Sequence, residues 1–318
     1  MLSRAAACLA CCLWAGVAVS LEHVHFLIPG GAGGGWDLTA RSAGRALQDA
    51  GIVSRVSFEN RSGAGGGKGV AYLQETREQN QHVLMVSSTP IIVRSLRPEF
   101  QQNWRDLTPI AAVIGDYGAI VVRADSPFLT FRDLAAALEQ APRSVKFAGG
   151  SNRGDLDHLI LAQVFAALAL DPADARYVPY GAGGQATLAL LSGEVDAMSA
   201  TIGDAMNGVR DGRLRVLAVA AEQRLAELPQ APTFHEQGYD VAFVNWRGFF
   251  AVPDLPTARR AEFVGLLEQL RSSAQWRDAQ TRFGWIEVFR TGAEFEAFLE
   301  DQEAELSVLL RGLGLIER

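Results

Sequence analysis

Short apolar runs in the first ninety residues stop at glycine or hydroxyl turns that open into helix-like patterns. This repeated unit narrows the fold more than any other feature of the chain. Residues 25–28 end at Pro29, and five glycines occupy positions 30–35. The next stretch sets Ala40, Ala43, Ala46, Leu47 and Ala50 on one helical face. Residues 55–58 run into a second glycine turn from Ser62 to Gly69, with a helix from about Val70. Residues 83–86 end in Ser87, Ser88, Thr89 and Pro90 before another helix. Strands alternating with helices imply an α/β fold with a largely parallel sheet. In such sheets a ligand sits beyond the carboxyl ends of the strands, where these turns fall. Glycine lets main chain approach a ligand closely, and the first amides of a helix lack internal acceptors at the positive end of its dipole. Together they make an anion site that needs no basic side chain.

The pattern recurs. Residues 109–114 and 119–123 read as two strands separated by Gly115, Asp116, Tyr117 and Gly118. A second series begins with a strand at 145–148, the loop from Gly149 to Gly154, and a helix over 155–170. Further strands are expected at 176–178, 195–199 and 214–220; the first ends in a turn with Gly181, Gly183 and Gly184. Strand-like residues 243–252 lead to two or three amphipathic helices, the last carrying Phe295, Leu299, Leu306 and Leu310 as core. Two such series suggest two lobes that aim loops and helix starts into a shared cleft, a preferred place for small-ligand sites. The boundaries are expected at residues 21–116 with 224–318 for the first lobe and 117–223 for the second.

Net charge is −7 over 318 residues, which argues against a nucleic-acid footprint. The first twenty residues carry one charge, Arg4, then an apolar stretch ending in small residues at Ala18, Val19 and Ser20. That is the form of a cleavable secretory signal, residues 1–20. Cys8, Cys11 and Cys12 are the only cysteines and all lie within it. A mature chain without cysteine is neither a disulfide scaffold nor a thiol enzyme nor a zinc-thiolate protein. Lipidation at Cys11 or Cys12 is the alternative use of those residues.

Motifs that would signal turnover fail. The first turn has Trp36 where a dinucleotide fingerprint needs glycine, and Lys68 is followed by Gly69 where a phosphate loop needs Ser or Thr. Arg153 occupies the closing glycine position of a nucleophile elbow. Apart from His23 and His25, no histidine has a nearby partner at metal-ligand spacing. His158, one turn into a helix that starts at a glycine loop, reads as a cap or as a residue ordering that loop. No nucleophile, base and orienter assemble. Binding is expected rather than catalysis, with no cofactor and no metal.

Four ordered motifs resemble one family. Residues 29–41, with the Gly33-Gly34-Gly35-Trp36-Asp37 core, look like the first loop of the tripartite tricarboxylate transporter solute receptors, the Bug family. Residues 59–67 resemble their second signature, and residues 177–184 with 191–196 the third. Residues 231–240 and the Asn245-Trp246-Arg247-Gly248 stretch match a fourth. The resemblance runs from about His25 to the C-terminus, and the forms around Trp36 and Trp246 look most like the tricarboxylate-binding branch. It implies a two-lobed, type II-like periplasmic binding protein, each lobe a central sheet flanked by helices. It also implies that the protein passes an organic anion to integral membrane permease subunits. By the same resemblance Gly33, Gly34, Gly35, Trp36 and Thr39 line the cleft from one side. Ser88, Thr89 and Gly183 border it, Ser151, Asn152 and His158 face them, and Asp204 lies near the far end. Asp155 and Asp157 stand where many relatives carry small hydroxyl residues. Both suit the first turn of a helix, where they complement its dipole; if either faces the cleft, it would repel a carboxylate unless Arg153 offsets it. Arg247 is expected to brace the hinge or to meet a further carboxylate.

The expectation is therefore a monomeric periplasmic receptor for a tri- or dicarboxylate, citrate-like by preference. A sensor that presents its liganded form to a signalling partner is the first alternative, and an enzyme on a bilobal fold the second.

Overall fold

The computed structural model describes residues 22–317; the expected signal segment and its cysteines lie outside them. The first lobe opens with β1 (His23–Ile28), α1 (Gly35–Asp49), β2 (Arg55–Asn60), α2 (Gly67–Glu75), β3 (Val83–Ser88) and α3 (Thr89–Ser95). β1 pairs in parallel with both β2 and β3. The expected face of α1 is buried at Ala40, Ala43, Ala46 and Leu47, which pack on the sheet. Burying such a face supplies most of what holds a helix of this length in place.

β4 (Thr108–Arg123) corrects the expectation of two strands: it is one strand of 16 residues that belongs to both lobes. From Thr108 to Tyr117 it pairs with β9 (Val244–Ala251), and in part with β10 (Ile286–Thr291), antiparallel to both. From Gly118 onward it pairs with β7 (Ala197–Thr201) and β8 (Leu214–Val219), again antiparallel. It is buried along nearly its whole length and mostly apolar, Asp116 excepted, so it does not alternate, as a strand covered on both sides need not. The second lobe adds α4 (Phe131–Gln140), β5 (Lys146–Gly149), α5 (Leu156–Ala167), β6 (Arg176–Pro179), α6 (Gly183–Ser192) and α7 (Ile202–Arg210). β5 lies between β6 and β7, parallel to both. The sheets are thus mixed rather than largely parallel, because β4, β8, β9 and β10 all enter antiparallel. After β9, α8 (Thr257–Ser272), α9 (Ala274–Phe283), β10 and α10 (Gly292–Gly312) complete the first lobe. β10 was not legible beforehand, since five of its six residues are half-buried and none is fully covered.

The chain returns from the second lobe near Ala220. There the Ala220 N–H donates to Gly118 O at 2.7 Å, Gly118 N–H to Phe243 O at 3.0 Å, and Phe243 N–H to Ala220 O at 3.1 Å. Three segments are thereby tied at the crossing. Loops after β1, β2, β3, β5, β6 and β7 all emerge at carboxyl ends of parallel strands, and they converge on the cleft.

Candidate functional site

A cavity of about 310 Å³ lies between the lobes, at the small end of the range for small-ligand sites. Its mouth is mostly main chain. From the first lobe come the turn before α1 and the Gly63–Gly66 turn before α2; from the second come residues 150–152 and the turn before α6. Gly34 and Ala182, the residues preceding α1 and α6, both line it. A Cβ built on Gly34 would stand 3.0 Å from the Ala182 Cβ, so the two helix starts meet across the cleft. The lobes are closed on each other: Arg97 Nη2 of the first donates to Gly154 O of the second at 2.9 Å.

Side chains pin the first turn. Asp37 Oδ2 accepts the Gly33 N–H at 3.0 Å, which holds Gly33 at φ +76°, a conformation glycine adopts freely. Asp37 Oδ1 accepts from Arg41 Nε at 2.8 Å and from Asn60 Nδ2 at 2.9 Å; Asn60 Nδ2 also reaches Gly30 O. The first two motifs are therefore one structure: the asparagine of the second fastens the glycines of the first. Trp36 lies against the Gly30 and Gly66 backbones and donates from Nε1 to Ser88 Oγ at 2.9 Å. It walls the cavity.

The floor is polar and deeply covered. Asp157, Asn245 and Arg247 are 3%, 1% and 1% exposed, and Asp204 joins them from the first turn of α7. Arg247 Nη2 is 2.8 Å from Asp116 Oδ2 and donates to Thr201 Oγ1 at 3.1 Å; Nη1 donates to Thr39 Oγ1 at 3.4 Å. Asp116 also accepts from the Gly203 N–H at 3.0 Å and from Trp285 Nε1 at 3.2 Å. Arg247 thus ties Asp116, Thr39 and Thr201 together while its edge faces the cavity. Gly35 is fixed by it, because a Cβ there would run into Nη2.

Asp155 and Asp157 both line the cavity. Burial pushes the Asp157 carboxyl up to about 8, with repulsion from Asp204 adding to it and hydrogen bonds from Gly150 and Ser151 opposing it. Burial likewise lifts Asp204 to about 7, against the pull of Arg247. Asp155 is lifted to about 7 by burial, against Arg97 and Arg94. Those two arginines, not Arg153, are the cations facing it: Arg153 turns away and donates from Nη2 to Tyr177 O at 2.7 Å.

Of the expected residues, Gly34, Gly35, Trp36, Ser88, Ser151, Asn152, Gly183 and Asp204 line the cavity. Gly33, Thr39, Thr89 and His158 stand behind it. Gly33 is exposed, and Thr39 donates to Gly35 O at 2.8 Å. Thr89 faces a separate cavity behind α3. His158 Nδ1 accepts the Gly154 N–H at 3.0 Å, and its ring lies edge-on to Tyr177. Burial, then Arg153 and Arg97, lowers it to about 4, so it orders the loop as a neutral ring. Asn245 escaped notice in the sequence beyond its place in a motif, since a lone asparagine in an apolar strand carries no signal of its own.

Two closed lobes around one amide-rimmed cavity define a solute-binding receptor. Residues 41–310 match the model of the "Tripartite tricarboxylate transporter family receptor", and the chain belongs to that family of periplasmic binding proteins. It is a binding protein, then, and not an enzyme. Protein BugT of Bordetella pertussis is 31% identical over 224 residues, covering 68% of this chain and 66% of that one. Among solved structures, an R. palustris protein with adipate superposes with a TM-score of 0.83 at 20% identity, covering 92% of this chain and 97% of that one. MatC from Rhodopseudomonas palustris, with bound malate, gives 0.78 at 20%, covering 91% and 98%.

Proposed function

We propose that the protein captures a small organic carboxylate in the periplasm and delivers it to the permease subunits of a tripartite tricarboxylate transporter. It would be exported by cleavage of residues 1–20 and act as a monomer. One observation carries this reading: the starts of α1 and α6, from opposite lobes, face each other across a single cavity. Unpaired first-turn amides there supply the donors, and bonds from N–H to a charged oxygen are the stronger kind. The malate and adipate seen with the two structural neighbours fit the same chemistry. The lobes divide at residues 21–116 with 224–318 and 117–223; the exchange of partners along β4 after Tyr117 supports that division. A citrate-like guest, the preference drawn from the motifs, would press further carboxylates onto Asp157 and Asp204. The reading therefore narrows to one carboxylate at the glycine turns.

Calorimetry of the mature protein against a panel of organic acids tests it. At least one should bind, and Gly34→Asp, which puts bulk and negative charge at the start of α1, should abolish the heat. Equal affinity in the variant would refute the amide site.

A further inference from the structure

The floor of the cavity holds three acceptors and one donor that nothing in the chain satisfies. Asp157 Oδ1, Asp204 Oδ1 and both side-chain atoms of Asn245 are covered and lack hydrogen-bond partners. Asp157 and Asn245 are more than nine-tenths buried and line the cavity. Leaving such an atom unpaired is costly, so these groups are set for something that arrives. Charge points the same way. Arg247 is engaged by Asp116 at 2.8 Å, and Arg94 and Arg97 face Asp155. Asp157 and Asp204 face each other; no cation acts on Asp157, and the one beside Asp204, Arg247, is already paired with Asp116. Among the described residues no group of three or more His, Cys, Asp or Glu could hold a metal ion.

We propose that the floor is an ammonium subsite, so that the ligand carries a primary amine held by Asp157, Asp204 and Asn245 as well as the carboxylate at the glycine turns. A primary ammonium offers three N–H donors, and the floor offers the Asp157, Asp204 and Asn245 Oδ1 atoms to take them. The ligand class is then an α- or ω-amino acid. The inference rests on the carboxylate-receptor reading and specifies the far end of the same guest.

Proton linkage separates this from its rival, in which protonated carboxyls donate to a second ligand carboxylate. Asp157 faces Asp204, Asp155 and the Tyr177 hydroxyl; Asp204 faces Arg247 and Asp116. His158, facing Arg153 and Arg97, stays neutral above about 4. Without a ligand Asp157 and Asp204 keep protons to about 8 and 7. An ammonium expels those protons, so affinity rises from about pH 6 to about pH 8.5; an added carboxylate retains them, so affinity falls over the same window.

The test is calorimetry with matched probes: L-aspartate against malate, γ-aminobutyrate against succinate, and ε-aminocaproate against adipate, at both pH values. In at least one pair the amine should bind about tenfold tighter or better, and more tightly at the higher pH. Asp204→Asn should lower that affinity about tenfold or more. Asn245→Ala, which removes no charge, should weaken it as well, a second variant should the first not fold. If dicarboxylates bind and their amine partners do not, the ammonium subsite is wrong and the carboxylate reading stands. If no probe of either class binds, both fall.

Discussion

Arg247 and Asp116 form an ion pair with almost no exposure, 2% and 0% at their side chains. A pair so deeply placed stabilises weakly as a unit, yet removing one member leaves a buried charge alone. Arg247→Met should therefore cost about 3–5 kcal/mol in urea unfolding, and Asp116→Asn in the same background should recover part of it. A loss below about 1 kcal/mol would mean the pair is hydrated. The floor acids make a second expectation at this scale. Asp155, Asp157 and Asp204 hold protons in the folded chain up to about 7, 8 and 7, whereas an unfolded chain releases them near ~3.9. Each therefore contributes stability that is full at acid pH and is lost as pH rises through its folded value. His158, lowered to about 4, works the other way: its share is present above ~6.5 and lost as pH falls toward that lower value. Three groups outweigh one, so the ligand-free melting temperature should fall between about pH 5 and 8 and then level off. Asp157→Asn with Asp204→Asn should flatten the profile; an unchanged slope in that double variant would assign the effect elsewhere.

At the scale of elements, the strand–turn–helix units around α1, α2, α3, α5 and α6 were legible because apolar period and glycine punctuation agree there. β4 was misread as two strands because Gly115 and Gly118 look like a turn, yet both sit in a continuous strand. A Cβ on Gly118 would meet Ile160 Cδ1 at 2.9 Å, and one on Gly115 would meet Val244 and Ile286, so helix and strands approach there instead. The mouth of the site was readable since glycine before a helix has a direct physical meaning. The floor was legible only in part: Asp204 was placed at the far end and Asp157 weighed as facing the cleft, but Asp116, Asn245 and Arg247 meet only through long-range pairing of β4 with β9. Asp37 shows the link between the first two motifs. It accepts from Gly33, Arg41 and Asn60 at once, and bonds to a carboxylate are worth about 1.5–3 kcal/mol each. Asp37→Ala should lower stability by about 2 kcal/mol or more and speed hydrogen exchange across residues 30–35. Unaltered exchange there would show that the glycines hold their course unaided.

At the scale of the whole molecule, closure brings the start of α1 against the turn before α6, where a Cβ on Gly34 would already crowd Ala182. A larger side chain at that point works as a wedge. Small-angle scattering should show Gly34→Asp more extended than the wild type; equal dimensions in both would mean the lobes meet elsewhere. The cavity also divides its labour by kind of atom. Its rim is written in peptide bonds, which every residue shares, and its base in the side chains at 157, 204 and 245. A lineage can thus swap its cargo by changing a few codons while the moving parts carry on untouched. Kinship within such a fold forecasts the machine far better than the freight.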